Sequence, residues 1–149
     1  MSLRIDSPAR LHASFIINEY QFGVTATEVQ EVLGPQRLTK VPMAPSHIVG
    51  LINLRGQVVV ALDMRGRLGL PIIDTNPNKV NVVLRTEAGP VAIMADKVGD
   101  VMNISDDEIR PVPVTFGPPM DKMLEGVCQR ESGLLLILKV AEITAPLVL

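Results

Sequence analysis

Two stretches of this 149-residue chain align without a gap: GLINLRGQVVVAL at 50–62 and GVCQRESGLLLIL at 126–138. Gly50 falls on Gly126, and three valines fall on three leucines. Upstream of each, in the same order, YQFGVTATEVQEVL (20–33) lines up with GPVAIMADKVGDVM (89–102). That places Val29, Glu31 and Val32 on Val98, Asp100 and Val101. Each copy has an apolar strand, a capping residue (Thr27 or Asp96) and then the pattern V-x-acid-V. Ordered repetition of this kind points to a duplicated unit. Valine-rich strands also align by chance, so the repeat stands as an expectation.

The unit reads as β. Long helical periodicity is absent, and short apolar runs recur between turn signals, the pattern of a sandwich or barrel. Strands are predicted over 12–17, 20–26, 51–54, 58–62, 79–85, 90–95, 126–130 and 134–138. Val58 to Leu62 does not alternate, so that strand is expected to be buried on both faces. Leu54-Arg55-Gly56-Gln57 suits a type II turn, with Gly56 at the position that needs a positive φ. Thr27-Glu28-Val29-Gln30 and Ser105-Asp106-Asp107-Glu108 read as capping boxes opening short helical turns. Ser46 reads as the cap of another turn, ended by Gly50. Asp74 to Asn78 reads as a polar linker. The expected organisation is all-β: one domain over 8–149 with two related lobes, roughly 11–75 and 79–146, each a small barrel with few free edges.

Composition removes several classes. Apolar residues make up 47%, enough for a core and too many for a disordered chain. The formal charge is -2, from 14 basic and 16 acidic residues, so no basic face for nucleic acid is expected. Aromatics are 3% with no Trp, which removes stacking platforms for single strands. The start, MSLRIDSPAR, lacks the apolar stretch of a signal peptide. LLLIL at 134–138 is far short of the about 20 apolar residues of a spanning helix, so membrane insertion is not expected. The single Cys128 has no internal disulfide partner and fits a reducing cytoplasm.

No reaction centre emerges from spacing. His12 and His47 stand apart from other ligand types, so neither a metal nor a cofactor is expected. His47, in a Pro-Ser-His turn, reads as a surface residue. Cys128 lies in an apolar strand and reads as a buried, inert thiol. No phosphate-cradling glycine motif is present. Arg55, Arg65 and Arg67 gather around Asp63, and on spacing alone they read as a solvated rim.

These residues do, however, resemble a known family. LINLRGQVVVALDMRGRLGLP is similar to the signature of CheW-type chemotaxis coupling proteins, roughly G-V-I-N-L-R-G-x-I-I-P-V-I-D-L-R-x-R-F-G-L. The matching residues are Gly50, Ile52, Asn53, Leu54, Arg55, Gly56, Asp63, Arg65, Arg67, Gly69 and Leu70. FGVTATEVQEVL resembles the family segment ending V-x-E-V, and Val41 to Pro45 its V-P-x-x-P loop. Ala95 to Val98 resembles V-D-x-V, and Leu124 to Val127 the family's x-x-G-V. The likeness spans about 11–146. Among the chain's departures from the family, Val60 replaces a proline, Leu62-Asp63-Met64 the usual I-D-L, and Lys139 a frequent aspartate.

The resemblance implies two five-stranded SH3-like barrels around a shared hydrophobic core, and an adaptor without catalysis of its own. The implied partners are the cytoplasmic tip of methyl-accepting chemoreceptors and the regulatory domain of a CheA-type histidine kinase. The implied location is the cytoplasm, at receptor arrays. By position in the motif, Val29, Glu31, Val32, Gly50, Arg55 and Val98 would serve receptor binding. Arg55, Asp63, Arg65 and Arg67 would contact the kinase or support that interface. Opposite charge at two signature positions leads to a further expectation: Glu31 and Arg55 pair, holding the helical turn against the hairpin. The alternatives are a scaffold for twitching motility or another non-flagellar output, a small-ligand-binding barrel, and a purely structural barrel.

Overall fold

The computed structural model describes residues 9–72 and 79–145. Ten strands carry the fold: β1 (Ala9–Ile17), β2 (Tyr20–Thr25), β3 (Val29–Leu33), β4 (Ile48–Leu54), β5 (Gln57–Leu62), β6 (Val80–Thr86), β7 (Gly89–Ala95), β8 (Lys97–Ser105), β9 (Leu124–Arg130) and β10 (Gly133–Leu138). Three short helices, α1 (Arg65–Leu68), α2 (Met120–Met123) and α3 (Val140–Thr144), fill corners. The predicted 74–78 linker lies outside the described residues.

The strands form two five-stranded sheets, in the orders β8-β1-β2-β10-β9 and β3-β6-β7-β5-β4. The duplication is present in both, down to register. In the second sheet Val60 opposes Val91; in the first, its counterpart Leu136 opposes Phe22. Val29 opposes Leu84 where Val98 opposes Phe15, and Val32 opposes Val82 where Val101 opposes Ala13. A bulge interrupts both of the latter ladders just after the first pair.

The sheets do not coincide with lobes 11–75 and 79–146. Each joins two strands of one copy to three of the other: β1 and β2 with β8, β9 and β10, and β6 and β7 with β3, β4 and β5. Local pattern determines which face of a strand is buried but not which strand lies beside it, and the repeat therefore suggested contiguous lobes.

Neither sheet closes by a full ladder. β3 and β4 are the edges of the second sheet, and a single bridge joins the segment that follows β3 to β4: Thr39 N donates to Leu51 O (2.9 Å) and Leu51 N to Thr39 O (2.8 Å). The first sheet repeats this with Arg110 N to Val127 O (2.7 Å) and Val127 N to Arg110 O (2.9 Å). The duplicated glycines sit at these closures. A Cβ on Gly50 would lie 2.8 Å from Thr39 O, and one on Gly126 2.6 Å from Arg110 O. Gly50 thus lies within β4 and ends no helix. The segment from Ser46 is a turn closed by Ile48 N to Pro45 O (2.9 Å).

A shared core fills the space between the sheets, with Phe15, Phe22, Leu62, Leu84, Ile93 and Leu136 among its members. Each sheet also buries a smaller cluster on its other face, including Ile52, Val59 and Ala61 in one and Ile104, Cys128 and Leu135 in the other. This explains the unalternating runs. Val59 and Ala61 face the small cluster, Leu62 the shared core; Leu135 and Ile137 face one way, Leu136 and Leu138 the other. Only Val58 departs from the expectation, being 62% exposed. Fully burying such a side chain contributes about 1.5–3 kcal/mol, so the double-faced strands contribute heavily to stability.

Two local expectations shift. The first capping box begins at Thr25, whose backbone N–H is accepted by Glu28 Oε1 (3.2 Å); a 3₁₀ turn occupies Ala26–Glu28. Val29, Glu31 and Val32 therefore lie on a strand and not on a helical turn. Leu54-Arg55-Gly56-Gln57 is also not a type II turn. Arg55 (φ 52°) and Gly56 (φ 86°) are both left-handed, as in the I′ turns whose twist suits a two-residue hairpin.

Candidate interaction site

Arg55 occupies a backbone region that non-glycine residues seldom adopt. Asn53 Oδ1 accepts a hydrogen bond from Gly56 N (3.0 Å) and braces the turn. From there the Arg55 side chain reaches back to β3, where Nη2 lies 2.5 Å from Glu31 Oε2. β3 and β4 are opposite edges of their sheet, so the ion pair spans the seam that Thr39 and Leu51 close lower down. Arg55 is 67% exposed and Glu31 24%. The hydrogen bond from Arg55 holds the Glu31 carboxyl below its ordinary pKa and raises that of Arg55. The other carboxylate oxygen, Oε1, is buried and has no hydrogen-bond partner. The predicted pair is present, and it fixes a strand edge to a hairpin.

The same edge carries apolar side chains. Val29 is half-buried and packs against the shared core, while Val32 is 43% exposed. Residues directly opposite on a ladder share a face, so Val32 shares that of Val82, a shared-core residue. Arg85 of β6 holds this edge in place, its Nη1 donating to Thr27 O (2.9 Å) and Val29 O (2.6 Å). On the first sheet, Val98 is 46% exposed and Val101 63%. Sequence reasoning did not single out Val101. Its signal was available in the repeat, which places it on Val32.

Asp63, Arg65 and Arg67 lie elsewhere. Arg65 is buried; its Nε is 3.0 Å from Asp63 Oδ1 and its Nη2 2.7 Å from Oδ2, a two-pronged pair. Beside it, Lys79 Nζ lies 2.5 Å from Asp96 Oδ1, and Asn18 N donates to Asp96 Oδ2 (2.7 Å). Burial alone would raise the Asp63 carboxyl, but hydrogen bonds from Arg65 and the charges of Arg65 and Lys79 hold it below its usual value. Asp96 behaves alike, with Lys79 and the Asn18 N–H outweighing burial. Arg67 donates to Ile143 O (2.6 Å) and Glu142 O (3.1 Å), securing the end of α3. The expected solvated rim is thus an internal brace joining the copies. Its destinations, Asp96 and Ile143, are far away in sequence. His47 is likewise half-buried, with Nε2 enclosed and unpartnered, and burial followed by the charge of Arg67 lowers its pKa. Cys128 is buried in the first sheet's small cluster.

Among the described residues no group of three or more His, Cys, Asp or Glu could hold a metal, and no helix is long and apolar enough to cross a membrane. The geometry is that of a two-sheet β protein presenting paired strand edges for contact. Residues 12–146 match the CheW-like domain model, and the chain belongs to that family. It is 32% identical over 100 residues to the chemotaxis protein CheW of Rhizobium meliloti, covering 67% of this chain and 64% of that one. The chain thus spans less than two thirds of that relative's length. It is 28% identical over 124 residues to the chemotaxis protein CheW of Bacillus subtilis (83% of this chain, 80% of the relative). With the protein FrzA of Myxococcus xanthus it shares 30% over 115 residues (77% and 71%). The crystal structure of the scaffolding protein TtCheW from Thermoanaerobacter tengcongensis superposes with a TM-score of 0.79 at 24% identity, covering 88% of this chain and 89% of that one. The family consists of non-catalytic scaffold proteins.

Proposed function

We propose that the chain is a chemotaxis adaptor that couples the cytoplasmic tip of chemoreceptors to the regulatory domain of a CheA-type histidine kinase, and that it works in the cytoplasm at receptor arrays. The observation that carries this reading is the Glu31–Arg55 pair at an exposed valine edge in a CheW-like chain. Val29, Val32, Val98 and the newly found Val101 supply apolar contact for a receptor helix. Gly50 keeps the seam closed, and the Glu31–Arg55 pair sets the position of the edge. Arg55, with most of its side chain exposed, remains open to both partners. Asp63, Arg65 and Arg67 act by support, since Arg65 is buried and Arg67 is engaged with α3.

The test is a double-mutant cycle on binding to a receptor cytoplasmic fragment and, separately, to the kinase regulatory domain. Glu31→Arg and Arg55→Glu each weaken receptor binding, and the combined reversal recovers part of the loss. Absence of coupling removes the pair from the mechanism; failure of the unmodified chain to bind either partner removes the adaptor reading. The likeness to FrzA is compatible with a non-flagellar output and does not favour it.

A further inference from the structure

Eight ladders build the two sheets. Four lie within a copy of the repeated unit: β1 with β2, β4 with β5, β6 with β7, and β9 with β10. Four join the copies: β1 with β8, β2 with β10, β3 with β6, and β5 with β7. A single copy therefore holds two hairpins and one strand with no ladder of its own. An isolated hairpin is marginally stable at best in water, so each copy depends on the other for its sheets.

The edges that the copies offer one another are equivalent. Leu136 meets Phe22 as Val60 meets Val91, and both valine ladders share their register and bulge. Nothing in these ladders requires the two copies to belong to one polypeptide. We propose that a second copy of this chain is a partner of the first by reciprocal exchange. In this dimer, residues 79–145 of each chain complete residues 9–72 of the other, and all four sheets are rebuilt. Such an exchange is closed and two-fold, so it stops at the dimer. The product carries two Glu31–Arg55 seams on one body, and a partner with two sites gains through effective concentration. This proposal rests on strand topology and stands or falls apart from the adaptor reading. Within one chain the copies meet at an effective concentration of the order of millimolar, so exchange is favoured only at comparable protein concentrations. The four joining ladders must also open first, which makes it slow in native buffer.

The experiment mixes isotopically labelled and unlabelled full chains, each with a protease site inserted within 73–78, at about millimolar concentration. The mixture is held at its denaturant midpoint and then returned to native buffer. The expected product has twice the mass of the chain and an unchanged β circular dichroism spectrum. After cleavage it separates into pairs of single-chain mass in which labelled amino-terminal fragments hold unlabelled carboxy-terminal ones. Fragments that pair only with their own chain, or the absence of any dimer, overturn the proposal. A second measurement uses the unmodified sequence: isotope-filtered nuclear Overhauser contacts between Phe22 of one chain and Leu136 of the other are expected in the dimer, and a dimer without them overturns it as well.

Discussion

The two seams of the molecule are built alike. Both are narrowed by a one-pair bridge, and both have a glycine where a carbonyl passes closest. Their charges differ. The alignment that places Glu31 on Asp100 and Arg55 on Glu131 leaves two acids where the other seam has an ion pair. The first sheet has its ion pair elsewhere: Arg130, next to Glu131, places Nη1 3.0 Å from Glu108 Oε2 on the 3₁₀ turn that follows β8. Register and close approach are set by backbone geometry that every copy must satisfy. Surface charge is free to change, and it is where the two halves differ.

The comparison is tested most severely in the shared core. Leu62→Ala and its counterpart Leu138→Ala should each destabilise the chain by about 2–5 kcal/mol in urea melts, with one common transition. A two-step melt, with one sheet outlasting the other, would break the picture of sheets that share their copies. Next come the closures: Gly50→Ala and Gly126→Ala force a methyl group against a carbonyl and should cost about 1–3 kcal/mol each. If only one does so, the two bridges are not equivalent.

The seams themselves should differ in binding. Arg55→Glu is expected to weaken association with a receptor fragment by about tenfold or more, while Glu131→Lys leaves it nearly unchanged, as titration calorimetry would reveal. Acid should expose the brace that joins the copies. Asp63 and Asp96 both have folded pKa values below the ordinary 3.8, so their stabilisation is complete above that value and is lost as pH falls through the folded values. Asp96→Asn should flatten the fall of the urea midpoint as pH drops below about 4. The smallest change is Glu131→Arg, which sets a cation opposite Asp100 as in the other seam; an exposed pair of this kind shifts stability by no more than about 1 kcal/mol.

Much of this was legible in the sequence, for local reasons. The apolar run at 58–62, which does not alternate, announced burial on both faces, and the 50–62 and 126–138 match announced a common fold for both halves. Glu31 and Arg55 were paired by charge and motif position, and they do meet. What escaped depended on distant partners. Arg65 and Arg67 carry the composition of a surface, yet Asp63, the strands that enclose Arg65, and the carbonyls of Glu142 and Ile143 draw them inward. β3 and β8 hid behind capping signals, because their hydrogen bonds come from β6 and β1 of the other copy. The same ignorance of partners made contiguous lobes out of exchanged ones.

Exchange of strands between copies also bears on synthesis. Multidomain chains commonly fold from the amino terminus as they emerge from the ribosome. Here β1 and β2 wait for β8 and β10, and β3 and β5 for β6 and β7. The second sheet is complete only once Ala95 has left the exit tunnel and the first only once Leu138 has, so most of the chain is made before any of it can be kept. A topology rich in such long-range pairing folds slowly, and its unfinished edges are exposed for the whole interval.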